Sequence, residues 1–310
     1  MPRRLRVAAA QMGPIPDADP RSKTIDRLVD LLESAAAKKA DLVVFPEMTL
    51  TSFFPHFLIE DRERLLSYYE RRMPNPNTQR LFDRAKELGV AFVLGYGEID
   101  ERERLFNTAS LYGRDGTELL RYRKIHLPGF GAHQTEAEHQ LLEKRYFEVG
   151  DLGFPAADWD QTKIGLAICN DRRWAETYRA LALNGAELIC LGYNTPVKTP
   201  HLPESDRLVM FHNHLSMQAG AYQNSAWVVG TAKAGAEDGV DQIGGSAIIA
   251  PSGEIVACAQ TVEDELVDAE IDLDMVTRYR ADIFNFSHHR RPEWYADIVK
   301  EIPEDQRQHW

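Results

Sequence analysis

Asp41-Leu42-Val43-Val44-Phe45-Pro46-Glu47 decides how the chain is read. It is a short, almost wholly apolar run stopped by a proline, the pattern of a strand covered on both faces. Glu47 then sits at the strand's C-terminal end. Working outward toward the N-terminus, Ile25, Leu28, Val29, Leu32, Ala35 and Ala36 recur at three- and four-residue steps. They predict an amphipathic helix that opens at Asp19-Pro20 and ends near Ala40. A buried strand over 5–11 precedes it. On the other side the unit repeats, with a helix over 77–88 capped by Asn77 and stopped by Gly89, then a strand over 90–95. A hairpin follows over 107–126, turning at Gly113-Arg114-Asp115-Gly116, with Lys124 near the end of its second strand. Further on, strands are predicted over 162–169, 186–193, 226–233, 246–250, 255–259 and 266–271, and helices over 174–183 and 205–223. Early alternation and late hairpins describe an α/β protein with a mixed sheet, in which ligands gather outside the carboxyl ends of strands.

The 310 residues show no internal repeat and no linker-like tract, so one domain is expected over 1–310. Lys and Arg number 36 and Asp and Glu 48, a net charge of −12, which repels nucleic acid and anionic membrane. Hydrophobic residues at 44%, charged residues at 27% and a mean hydropathy of −0.40 are ordinary for a soluble globular chain. Arg3, Arg4 and Arg6 stand before a short apolar stretch, as in a signal peptide, but Gln11 interrupts it too early. Cys169, Cys190 and Cys258 are too few and scattered for a disulfide framework. A reducing, cytoplasmic location is expected.

Three reactive side chains, Glu47, Lys124 and Cys169, each end an apolar strand, and parallel neighbouring strands would bring those ends together. A thiol that begins the next helix gains from the free N–H groups there, which lower its pKa. Cys190 and Cys258 read instead as inert thiols in apolar runs. After Cys169 the chain turns abruptly polar, Asn170-Asp171-Arg172-Arg173. A solvated helix start is the plain reading. Yet two arginines at the positive end of a helix dipole are misplaced unless an anion such as a ligand carboxylate binds them. No histidine can be placed beside Cys169, so the base is expected to be a carboxylate. His212 and His214, two apart on a helix, face different ways, and no metal is expected.

Phe45-Pro46-Glu47, Tyr122-Arg123-Lys124-Ile125-His126-Leu127-Pro128-Gly129 and Ile168-Cys169-Asn170-Asp171-Arg172-Arg173-Trp174, in that order, resemble the nitrilase superfamily of carbon–nitrogen hydrolases. Within it, Leu142-Glu143-Lys144-Arg145-Tyr146-Phe147-Glu148, Gly192-Tyr193-Asn194-Thr195-Pro196 and Ser216-Met217-Gln218-Ala219-Gly220 are similar to N-carbamoyl-D-amino-acid amidohydrolases. The resemblance implies a four-layer αββα sandwich with mixed sheets, assembled as a homodimer or homotetramer. It implies Glu47, Lys124 and Cys169 as the catalytic set, with Glu143 as a second active-site glutamate and no cofactor. Arg172 and Arg173, with Asn170 and Asn194 nearby, are implied to hold the substrate carboxylate. The small-molecule substrate would be an N-carbamoyl amino acid, split to amino acid, ammonia and carbon dioxide. Two arginines disfavour cationic N-carbamoylputrescine. The alternatives are a hydrolase of N-carbamoyl-β-alanine or ω-amidase type, and a silent carboxylate-binding protein. The chain departs from the resemblance at Phe130 and Leu141, where a histidine is expected. Residues 283–310 read as a C-terminal arm that packs on a neighbouring subunit, since aromatics and arginine favour interfaces.

Overall fold

The computed structural model describes residues 2–137, 139–199 and 202–303. Its first strand, β1 (Arg4–Gln11), turns Val7 and Ala9 to one apolar core and Ala8 and Ala10 to another. In β2 (Leu42–Val44), Leu42 and Val44 join the first core and Val43 the second. A strand apolar on both faces must be covered twice. One cover is α1 (Arg21–Ala37), whose Ile25, Leu28 and Leu32 are buried, each side chain contributing about 1.5–3 kcal/mol. After α2 (Arg62–Leu66) and β3 (Tyr69–Glu70), α3 (Gln79–Leu88) adds Leu81, Phe82 and Ala85 to the same layer.

The chain continues through β4 (Ala91–Ile99), β5 (Leu105–Tyr112), β6 (Glu118–Arg123), α4 (Glu143–Tyr146), β7 (Ala156–Trp159) and β8 (Thr162–Ile168). Then come α5 (Ala175–Leu183), β9 (Leu188–Tyr193), α6 (Val209–Asn224), β10 (Trp227–Ala232), β11 (Ala234–Glu237) and β12 (Val240–Ile243). The last elements are β13 (Ala247–Ile249), β14 (Ile255–Cys258), β15 (Glu265–Asp272), α7 (Asp274–Ala281) and α8 (Phe286–His289). One sheet runs β15-β1-β2-β4-β5-β6 with β3 beside β4, the other β14-β13-β10-β9-β8-β7, and β11 pairs with β12. The inner faces of both sheets share one core, including Val44, Val93 and Leu111 from the first and Leu166, Cys190 and Val229 from the second. Tyr178, Leu181, Met217 and Ala221 of α5 and α6 cover the second sheet from outside. The order helix, sheet, sheet, helix is the expected four-layer sandwich with mixed sheets.

Direction matters for the site. β1, β2 and β4 are parallel, as are β8, β9 and β10, and two antiparallel steps through β5 return β6 to the direction of β2. Several boundaries differ from the sequence reading. α1 stops at Ala37, short of Ala40. Asn75, not Asn77, turns the chain into α3, its Oδ1 accepting the N–H groups of Asn77 and Thr78 at 2.9 and 3.2 Å. The helix predicted over 205–223 is a 3-10 segment, Pro203–Leu208, followed by α6. The expected C-terminal arm is described as far as residue 303, and its remainder lies outside the described residues. Among the described residues no helix is long and apolar enough to cross a membrane.

Candidate active site

Glu47 follows β2 into the narrow space between the sheets, which is open because two strands carry no side chain there. A Cβ on Gly192 of β9 would stand 2.5 Å from the Glu47 nitrogen, and one on Gly95 of β4 would collide with the Pro46 carbonyl. Real Cβ atoms do not approach so closely, so glycine at both places lets the Pro46–Glu47 backbone pass.

Four donors then fix the Glu47 carboxylate. Oε1 accepts from Lys124 Nζ and from Asn107 Nδ2, each at 2.7 Å. Oε2 accepts from the Asn194 backbone N–H at 2.8 Å and from Asn194 Nδ2 at 3.2 Å, and Nδ2 also reaches the Glu47 carbonyl at 3.0 Å. Lys124, one residue past β6, spends a second proton on Glu143 Oε2 at 2.6 Å, at the start of α4. Lys124 is fully buried, and Glu47 and Glu143 are each 1% exposed. Burial alone opposes the Lys124 charge, but Cys169, Glu143 and Glu47 outweigh it and hold the ammonium above its ordinary value. One cation between two carboxylates leaves an excess of negative charge. Burial, with the Glu47 charge added, accordingly pushes Glu143 up to about 7 against the pull of Lys124, so it holds a proton easily near neutrality.

Cys169 lies where β8 breaks into a 3-10 turn, Cys169–Arg173, and its φ of 45° is left-handed, a strained conformation for a residue with a side chain. Asp171 holds the turn. Its carboxylate accepts from the Ile168 N–H at 3.0 Å, the Tyr122 hydroxyl at 2.8 Å and the His126 N–H at 3.0 Å, with His126 Nδ1 at 2.8 Å. One buried acid thus ties the Lys124 strand to the Cys169 turn. The thiol donates to the Asn194 carbonyl at 3.0 Å. Asn194 therefore carries Glu47 on its N–H and the thiol on its C=O.

The expectation that a helix start lowers the Cys169 pKa is corrected. The residue opens a short turn rather than α5, and burial followed by the Glu47 charge pushes the thiol up, with Lys124 and Arg172 pulling the other way. Cys190, buried in β9, is pushed up by burial alone.

The two arginines separate. Arg172 is 1% exposed and is consumed internally: Nη1 donates to the Cys169 carbonyl at 2.7 Å, Nη2 to Thr195 Oγ1 at 2.7 Å and Nε to Asn213 Oδ1 at 2.9 Å. Its guanidinium also lies 4.5 Å from the Tyr193 ring centre and Nη1 3.7 Å from the thiol sulfur. Asn170 turns its amide to the His126 carbonyl at 3.0 Å. The Arg173 side chain keeps a solvent-facing surface and forms no ion pair or hydrogen bond with the described residues. The protein packed around it and the like charge of Arg172 lower it to about 10. It borders a cavity of about 340 Å³ whose walls include Leu202, Val209 and Leu215.

Sequence reasoning missed Asn107, Asp171 and Thr195 as parts of this network. Asn107 had a signal, a polar side chain inside a strand that is otherwise packed away from water. The histidines of the 131–140 loop stand apart: His139 packs edge-on to His56, ring centres 5.3 Å apart. Among the described residues no group of three or more His, Cys, Asp or Glu side chains is arranged to hold a metal ion.

A thiol, a carboxylate and an ammonium, all buried between two sheets, are the equipment of acyl transfer through sulfur. The family model for carbon-nitrogen hydrolases matches residues 6–281. A nitrilase from Pyrococcus abyssi is 33% identical over 94% of this chain and 99% of its own. An N-carbamoylputrescine amidase from Solanum lycopersicum is 32% identical over 96% of this chain and 95% of its own. The crystal structure of a carbon-nitrogen hydrolase from Helicobacter pylori superposes with a TM-score of 0.83 at 25% identity, covering 96% of this chain and 99% of the other. The chain belongs to the carbon-nitrogen hydrolase family and is an amidohydrolase acting on C–N bonds through a cysteine nucleophile.

Proposed function

We propose that this enzyme hydrolyses the carbamoyl C–N bond of N-carbamoyl amino acids, of the D series by its sequence resemblance, with Cys169 as the nucleophile. The observation that carries the reading is that Glu47 binds Lys124 and the Asn194 N–H while the Cys169 thiol binds the carbonyl of the same Asn194. Glu47 takes the thiol proton, which a rotation of the side chain brings over from the Asn194 carbonyl. Sulfur adds to the carbamoyl carbon, and the oxyanion that forms is neutralised by Lys124. Glu143, able to hold or release a proton near neutrality, keeps Lys124 in place as the charge develops. Collapse expels the first amine, protonated by Glu47. Water then gives a proton to Glu47 and adds to the thioester-like carbon, and Glu47 hands that proton to the departing sulfur, restoring the thiol and the carboxylate. The resulting carbamic acid loses carbon dioxide and the second amine.

Arg173 supports the choice of substrate. A guanidinium depressed by its surroundings, without an acid of its own beside Cys169, gains from a carboxylate, and its fork matches that group. Asn170 belongs to the same turn, and Asn194, after β9, meets the Cys169 thiol. A cationic N-carbamoylamine gains nothing there. Ammonia release from N-carbamoyl-D- and L-amino acids, N-carbamoyl-β-alanine, N-carbamoylputrescine and linear carboxylated amides tests the reading. The α-carboxylated carbamoyl compounds should give the highest kcat/KM, and Cys169→Ala and Glu47→Gln should each lose at least about 10³-fold. A preference for N-carbamoylputrescine, or turnover surviving in either variant, defeats it.

We also propose that the chain assembles with copies of itself. Phe211, Leu215, Trp294 and Val299, on α6 and the C-terminal segment, are 59, 49, 79 and 83% exposed, an apolar surface that a partner would cover. The three cysteines are free thiols, which suits a reducing cytoplasm. Sizing across a dilution series tests the assembly: a monomer at every concentration refutes it.

A further inference from the structure

A second ion pair lies behind Glu47. Lys233, the residue after β10, is fully buried, and its ammonium donates to the Thr51 carbonyl at 2.6 Å and to Glu237 Oε1 and Oε2 at 3.1 and 2.9 Å. Glu237, the last residue of β11, accepts in turn from the Phe53 N–H at 2.6 Å and the Ile15 N–H at 2.8 Å. Thr51 and Phe53 belong to the segment that leaves Glu47, and Ser52 between them donates to Asp238 at 2.7 Å. The pair thus fastens the outgoing side of the Glu47 segment to the second sheet. Lys233 also donates its backbone N–H to the Tyr193 carbonyl at 3.1 Å, one residue before Asn194.

Two charges taken wholly out of water rarely add stability over an apolar pair of the same volume. Their retention asks for another reason, and their location supplies one. We propose that Lys233 and Glu237 are a positioning pair for Glu47, fixing the backbone of its segment so that acid and thiol keep their register. This rests on Glu47 acting as the base. Burial pulls the Lys233 ammonium down, while the charges of Glu237 and Glu47 pull it back. The other ionisable ring in reach, His56, is pushed down to about 3 by burial, His139 and Lys233, and stays neutral.

The test compares wild type with Lys233→Met and with the double variant Lys233→Met/Glu237→Gln, which removes both charges without leaving either one orphaned. Melting temperature, kcat and KM on the best amide, and the iodoacetamide rate at Cys169, corrected with Cys169→Ala, are read together. The double variant should melt within about 3 °C of wild type and keep KM within about threefold. Its kcat and alkylation rate should both fall on the order of 10- to 100-fold, the cost of a misplaced reacting group. Unchanged kcat and alkylation, a rise in KM alone, or a double variant that does not fold each overturns the proposal, the last because the pair would then serve the fold. A wild type inactive on every amide would sink the carbamoyl reading, while the alkylation rates would still decide this one.

Discussion

Replacing Arg172 by methionine separates two roles that adjacent arginines could share. If Arg172 braces the turn, the substitution orphans the Cys169 carbonyl, Thr195 Oγ1 and Asn213 Oδ1, all buried. An unsatisfied buried acceptor costs about 1–3 kcal/mol. The three share one donor group, so their costs overlap, and about 3–5 kcal/mol is the expected total, as for breaking other buried charge networks. At roughly 1.5 °C per kcal/mol for a chain of 310 residues, the melting temperature should fall by roughly 5–8 °C. Arg172 also pulls the Cys169 thiol down, so its removal should move the pH dependence of iodoacetamide alkylation to higher pH. Circular dichroism melts and alkylation at a series of pH values measure both effects. A variant that melts like wild type, alkylates normally and shows only a raised KM would refute the brace and return Arg172 to the substrate.

Arg173→Met should do what Arg172→Met should not: raise KM for carboxylated substrates roughly 10- to 100-fold, one charge-assisted hydrogen bond, with melting unchanged. A KM effect equal on uncharged amides would contradict the assignment. Glu143, held at about 7 in the folded protein against an ordinary 4.5, binds a proton that the unfolded chain has released in that interval. Its contribution to stability is therefore full below about pH 4.5 and declines as the pH rises to about 7. Urea midpoints for Glu143→Gln should lack that decline, and an identical slope in both proteins counts against the charge excess around Lys124. Gly192→Ala should cost about 1–3 kcal/mol by overpacking and disturb Glu47 besides. Full activity in the alanine variant would show that the sheets can part.

Much of this was legible in one dimension because β1, β2, β4, β8, β9 and β10 are buried on both faces and so read as plain apolar runs. Glu47 and Cys169 could be singled out because each breaks such a run at the end where parallel strands converge, and Lys124 because it closes the hairpin strand β6. What stayed hidden depends on contacts distant in sequence. Nothing local shows that Asp171 belongs to Tyr122 and His126, or that Lys233 belongs to Thr51. Arg172 and Arg173, neighbours with the same side chain, differ only in which way the 3-10 turn faces them. The short strands β3, β11 and β12 have too few residues to show a period, and the helix start expected at Cys169 failed because Asp171 and Arg172 wind the turn more tightly than an α-helix.

The donors that hold Glu47 come from opposite halves of the molecule, Asn107 and Lys124 from one sheet and Asn194 from the other. Neither half alone owns a working centre. An assembly intermediate with one sheet complete is thus silent toward substrate, and newly made protein gains turnover only when the halves close on each other. Catalysis in this enzyme is a gauge of that closure, reporting in solution on an event that ordinary spectroscopy of helices and strands passes over.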